Sequence, residues 1–178
     1  MYPFIRMFWQ VWKYRKAAPL SVFGTHVSRH VCLPWDIDMW MELNNGRTLT
    51  LYDLGRIPMA YRVGLVEVLR RKRWGLTMAG ASVRYRRRVK AFETVDMRSR
   101  LASWDERFFY IEQSMWKKNG ECANHIVYRS AVTGKNGIVP PGEVIRELGV
   151  DEVSPPAPEW VKAWIEADDV RPWPPMQD

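Results

Sequence analysis

The chain has 178 residues, 47% hydrophobic and 26% charged, which suits one domain with a sizeable core and excludes a disordered chain. A net charge of +7 points to an anionic partner, with nucleic acid, anionic lipid and small-molecule phosphates all qualifying. The only cysteines, Cys32 and Cys122, exclude a disulfide scaffold, lack a CxxC spacing and suit a reducing cytosol.

Residues 1–20 form an aromatic and basic segment. Within Met1–Lys16, Arg6, Gln10 and Lys13 recur at i, i+4 and i+7, one narrow polar stripe on an otherwise apolar helix. The apolar run is too short for a standard signal peptide, and no stretch of the chain approaches the ~20 apolar residues of a membrane-spanning helix. Two readings stay open. Residues 1–16 are an arm packed on the body or on a dimer mate, or an interfacial helix resting on an anionic membrane.

Phe23–Leu33 alternates as a strand. Val27, Arg29, Val31 and Leu33 lie on one side, apolar except at Arg29; His26, Ser28, His30 and Cys32 lie on the other. A strand setting makes His26 and His30 neutral surface or core residues, not a zinc pair. Asp36 and Asp38 follow, then Asn44-Asn45, a strong helix N-cap. Leu49, Tyr52, Ile57, Tyr61 and Leu65 continue at helical intervals, with a kink or break expected just before Pro58. A second short helix carries Leu65 and Leu69 and ends in Arg70–Arg73, cations that suit a helix C-terminus.

Four strands follow: Thr77–Val89, Thr94–Trp104, Phe108–Lys117 and Glu121–Thr133. Turns separate them at Trp104–Glu106 and Lys118–Gly120. Strand alternation places Arg84, Arg86, Arg88 and Lys90 on one face. Gly134–Val139 reads as a loop, Pro141–Leu148 as a helix ended by Gly149, and Ser154–Pro158 as an extended linker. Glu159–Ala167 is a last helix with Trp160 and Trp164 on one face, and Arg171–Asp178 is irregular. The ten Trp residues favour an oligomer, since Trp is enriched at interfaces. These elements give an α+β fold with a helix buried against one sheet face.

The segment Asp36–Asn45 carries the chemistry. A carboxylate beside the unpaired amides of a helix N-terminus can activate water next to a polarised carbonyl. The blander alternative is that Asp36 and Asp38 only hold their turn through Asx-type hydrogen bonds.

Asp36, Asp38, Leu43, Asn44 and Asn45 resemble, in register, the active-site segment of hotdog-fold acyl-CoA thioesterases of the 4-hydroxybenzoyl-CoA thioesterase-like family. That family usually has Gly where this chain has Met41 and His where it has Glu42. The resemblance spans roughly Thr25 to Thr133. It implies a single hotdog domain over 21–139, a long central helix wrapped by a curved antiparallel β-sheet. An N-terminal amphipathic arm precedes that domain, and a helical, Pro-rich extension, 140–178, follows it.

The resemblance also implies roles. Asp38 becomes the catalytic carboxylate and the Asn45 amide the carbonyl-polarising donor, with Asn44 beside it. Glu42, four residues from Asp38, is a second carboxylate whose pKa like-charge repulsion can raise; it then acts as base or proton donor. Asp53 is a third carboxylate, on the central helix. Arg86, Arg88 and Arg107 are nominated for the phosphates of CoA. The implied activity is that of a cytoplasmic acyl-CoA thioesterase, a homodimer or tetramer with no metal, no cofactor and no nucleic-acid partner. Residues 1–16 are its possible contact with the inner face of a membrane. An acyl carrier protein thioesterase and a non-catalytic, membrane-associated acyl-binding protein are the alternatives.

Overall fold

The structure is a computed structural model describing residues 2–176; Met1, Gln177 and Asp178 lie outside the described residues. Helix α1 (Phe4–Tyr14) precedes strand β1 (His26–Val31), then α2 (Asn45–Arg62) and α3 (Leu65–Lys72). Strands β2 (Gly75–Tyr85), β3 (Thr94–Trp104), β4 (Phe109–Lys117), β5 (Cys122–Gly134) and β6 (Gly137–Val139) follow, and α4 (Pro141–Glu147) and α5 (Glu159–Asp169) close the chain.

The strands form one antiparallel sheet in the order β1-β3-β4-β5-β2, with β6 added to β5. Register shifts at Met78/Gly80, Leu101/Ser103 and Met115/Trp116 interrupt the ladders, and irregularities of this kind bend and twist a sheet. Its inner face packs Met97, Ile111, Met115, Ile126 and Val132 in one core with Leu51, Tyr52, Leu54 and Met59 of α2. Close approach depends on Gly55: a Cβ there would stand 2.6 Å from the Met97 sulfur and push the helix off β3. Buried Gln113 fixes the helix laterally, its Nε2 donating to Tyr52 O at 3.0 Å and Ser99 Oγ at 2.7 Å. A long helix wrapped by a curved antiparallel sheet is the hotdog arrangement that the resemblance implies.

Several expectations change in detail. Helix α2 continues through Pro58 instead of breaking there. Proline costs about 3 kcal/mol inside a helix, but Leu54, Gly55, Pro58 and Met59 are all buried, and burying a side chain of that size stabilises by ~1.5–3 kcal/mol. Strand β2 ends at Tyr85, short of Val89. The Arg86 and Arg87 amides both donate to Ala123 O, at 2.9 and 3.0 Å, so alternation stops and Arg84, Arg86, Arg88 and Lys90 share no strand face. Residues 134–139 are not a plain loop: Gly134 pairs with Gly137, starting β6. The last helix places Val161 against Tyr110 and Val127 on the outer sheet face.

Strand β1 is turned opposite to its apolar pattern. His26, Ser28 and His30 are buried, whereas Val27 and Val31 are exposed. Neighbouring polar groups make this possible, since a buried polar side chain needs a partner. Arg62 Nη1 donates to His26 Nδ1 at 3.0 Å, and Ser28 Oγ and His30 Nε2 hydrogen-bond at 2.7 Å. Tyr14 of α1 meets the His26 ring edge-on at 4.6 Å. Burial, with Arg62 second, lowers the His26 pKa to about 4; burial, with Arg6 second, lowers His30 to about 3.

Both histidines protonate near pH ~6.5 once unfolded, so below that the unfolded chain takes up more protons than the folded one. Their contribution is fully present above that pH and is lost as pH falls towards the folded values of about 4 and about 3. Thermal melts should therefore show Tm dropping across this acid window, and His30→Gln should flatten the drop whatever it does at neutral pH. An unchanged slope in the variant would contradict this.

Candidate active site

The site is built on the loop between β1 and α2, and Asp36 holds that loop. Its side chain is 0% exposed. Oδ2 accepts from Arg6 Nη1 at 2.6 Å and from the Leu33 amide at 3.0 Å. Oδ1 accepts from Arg47 Nε at 2.7 Å. The Asp36 carbonyl takes the Asn44 amide at 3.0 Å. Burial pushes this carboxyl up, but the Leu33 amide, Arg47 and Arg6 outweigh it and hold the pKa below the usual value. Asp36 is thus a charged anchor, not a group available to substrate.

Past it the chain turns back on itself. The Asp38 amide donates to Glu42 O at 2.9 Å, the Met41 amide to Asp38 O at 3.1 Å, and Ile37 bridges Leu43. Asp38 Oδ1 accepts the Trp40 amide at 2.8 Å, an Asx turn. Met41 has φ 59°, the left-handed region that glycine occupies without strain. The turn therefore keeps a glycine-like backbone where the resembled family usually has Gly.

Asn44 caps α2 through Oδ1, which accepts the Arg47 amide at 2.9 Å. That leaves the Asn45 and Gly46 amides in a first turn without intrahelical acceptors, at the positive end of the helix dipole. Beside them opens a cleft of about 190 Å³ lined by Glu42, Asn45, Thr48, Tyr85, Arg86, Arg87, Arg88 and Asn124, among others. Tyr85 OH donates to Asn45 O at 3.2 Å, and Arg88 Nε pairs with Glu42 Oε2 at 2.9 Å. The cleft thus joins a helix N-terminus, a carboxylate and a cationic rim, which suits a polarised carbonyl on a phosphorylated carrier.

Of the residues nominated from sequence, the structure brings together Asn45, Glu42, Arg86 and Arg88, with Asn44 as the adjacent cap. Asp38 sits on the turn, outside the cleft lining. Arg107 does not join them. It precedes Phe109, which pairs with Ser130, whereas Asn124 of the cleft pairs with Met115; at ~3.3 Å per residue Phe109 and Met115 stand roughly 20 Å apart along β4. Asp53 is engaged elsewhere, accepting from Tyr2 OH at 2.9 Å and pairing with Arg56. Among the described residues no cluster of His, Cys, Asp and Glu could hold a metal.

Thr48, Tyr85, Arg87 and Asn124 escaped the sequence reading. Thr48 lies one helical turn past Asn44, and that spacing could have found it. Asn124 reaches the cleft only through the pairing of β5, which no local pattern reveals.

Residues 32–165 match the thioesterase-like superfamily, and the chain belongs to it, a class of hotdog-fold thioester hydrolases. Among its relatives is protein THEM6 of Xenopus laevis, 32% identical over 146 residues, covering 81% of this chain and 69% of that one. Solved structures that share the fold include the two that follow. SAV2348 of Staphylococcus aureus, in complex with CoA, has a TM-score of 0.63 at 9% identity, covering 81% of this chain and 96% of that one. The 1,4-dihydroxy-2-naphthoyl-CoA thioesterase Slr0204 of Synechocystis has a TM-score of 0.60 at 8% identity, covering 70% and 95%.

The left-handed Met41 offers a direct test of the loop. A non-glycine residue in that conformation costs ~1–2 kcal/mol, and glycine's extra unfolded entropy returns ~0.5–1 kcal/mol of it. Met41→Gly should therefore raise the urea midpoint slightly, by up to about 1 kcal/mol in unfolding free energy. A clear destabilisation would mean that the Met41 side chain makes stabilising contacts.

Proposed function

We propose that this protein is an acyl-CoA thioesterase that hydrolyses a thioester to free acid and CoA. One observation carries the reading: the N-terminus of α2, Glu42 and the Arg86–Arg88 rim converge on one cleft in a chain of the thioesterase-like superfamily. The CoA bound by the S. aureus structural neighbour supports the carrier. The CoA phosphates meet Arg86 and Arg88, whose guanidinium forks suit phosphate oxygens. The thioester carbonyl faces the Asn45 amide, which stabilises the oxyanion as water adds to the acyl carbon. Asp38 takes the water's proton or attacks first, the C–S bond breaks, and the leaving thiolate is protonated to CoA.

A cytoplasmic homodimer completes the site. Strand β2 ends the sheet order, and the uncharged stretch Gly75–Val83 leaves most of its residues exposed. A long uncharged edge of this kind is a template for strand pairing. A second copy pairing there would stand next to Tyr85–Arg88, beside the cleft, and within reach of a loop that holds Asp38 outside its own subunit's cleft.

Thiol release from a panel of acyl-CoAs tests the chemistry. Asp38→Asn should lower kcat ~100-fold or more while moving KM little, because the lost interaction belongs to the transition state. Glu42→Gln should cost much less. The reverse pattern would move the chemistry to Glu42 and overturn the assignment. Release from acyl carrier protein thioesters but not from acyl-CoAs would overturn the carrier. Light scattering that finds only a 21.0 kDa species would remove the shared site.

A further inference from the structure

Helix α1 is seated with Arg6 and Gln10 of its polar stripe inward, while Lys13 at its end stays exposed. Arg6 reaches Asp36 and donates to Val31 O at 2.9 Å, and Met7 and Gln10 are its buried residues. The apolar side faces water: Ile5 is 87% exposed and Phe8 70%, with Trp9 and Trp12 also exposed. These four fall at i, i+3, i+4 and i+7, a single helix face. A surface helix of a globular domain ordinarily does the reverse, and a contiguous apolar patch of this kind marks an interaction surface.

A second exposed apolar element lies alongside. Phe4, Ile5 and Trp35 line one depression together with Arg6 and Arg47. From Trp35 the chain enters the turn bearing Met39, 84% exposed, Trp40, 71% exposed, and exposed Met41. That turn is the one that holds Asp38.

Charge decides among possible occupants. Lys13, Arg15 and Lys16 are exposed at the C-terminal end of α1. Trp9 stacks on Trp12 at 4.9 Å, and Arg15 lies over the Trp12 ring at 4.2 Å. Aromatic rings with cations at their polar edge match a boundary between acyl chains and anionic headgroups. A second copy of the chain would bring an equally basic rim against this one. No helix among the described residues is long and apolar enough to cross a membrane, so the match is to its surface.

We propose that the outward face of α1 and the Trp35–Met41 turn together form one docking surface for an anionic lipid bilayer. Docking sets the active-site loop at the membrane boundary, where acyl chains partition. The surface extends the expected contact of residues 1–16 to the loop of the site itself. Its catalytic consequence rests on the thioesterase reading, but lipid binding does not.

Flotation of the full chain with phosphatidylcholine vesicles, with and without phosphatidylserine, tests the surface; soluble short-chain acyl-CoA hydrolysis, measured without vesicles, tests the chemistry separately. Native protein should float with the anionic vesicles, and less as salt rises. Lys13→Gln/Arg15→Gln/Lys16→Gln should weaken binding about a hundredfold, from ~1 kcal/mol per surface cation. Trp9→Glu/Trp12→Glu and Met39→Glu/Trp40→Glu should each abolish recovery, the first pair leaving soluble hydrolysis unchanged. No recovery of native protein, or full recovery of the α1 variants, would overturn the proposal. Full recovery of the Met39/Trp40 variant would overturn the two-part surface. A Trp9/Trp12 variant that becomes monomeric yet still floats would assign the face to a second copy.

Discussion

Asp36 is a carboxylate withdrawn from water, and its charge joins three parts of the chain. Arg6 arrives from α1, Arg47 from the first turn of α2, and the Leu33 amide from just past β1. Desolvating such a group is expensive, and its pairing often only balances that cost. The arrangement contributes geometry more than net stability. With two guanidinium groups and an amide already engaged, the carboxylate has one position, and the loop that follows inherits it. The Asn44 amide on the Asp36 carbonyl then sets where α2 begins, and so where the Asn45 amide points.

From that anchor the site follows in short steps. The turn Asp38–Glu42 folds back at a left-handed Met41, and Glu42 meets Arg88 across the cleft. The chain departs from the resembled family at these two neighbouring positions, and the departures have different weights. Met41 alters a side chain while the backbone keeps the shape a glycine would give. Glu42 alters chemistry, since it brings a negative charge where the family has a histidine, and that charge pairs with Arg88 of the cleft rim.

Alternation and turn chemistry made most of the fold legible. Strand β3 matches its expected span residue for residue, with the turn after Trp104 marking its end. What escaped was non-local. The period of β1 gave its two faces but not which one is buried; Arg62 and Tyr14, from other elements, make the histidine face the inner one. Pro58 reads as a helix breaker until the packing around Leu54 and Met59 is known. The arginine run looked like one strand face, and the shared acceptor Ala123 O that interrupts it lies on another strand. In the site, the Asp-Asn register located the loop and the helix start. It left open whether Asp36 only holds its turn, and gave no sign that the residue is buried, that Arg107 belongs to the far end of the sheet, or that Asn124 enters the cleft.

Hydrogen exchange on native protein and Asp36→Asn measures the anchor directly. The variant keeps the shape of the side chain and removes its charge. If Asp36 holds α1, the site loop and the start of α2 as one unit, protection should fall together in residues 4–14, in residues 37–43 and in the first turn of α2. Loss confined to the Leu33 and Asn44 amides would contradict the account, leaving the three segments independently held.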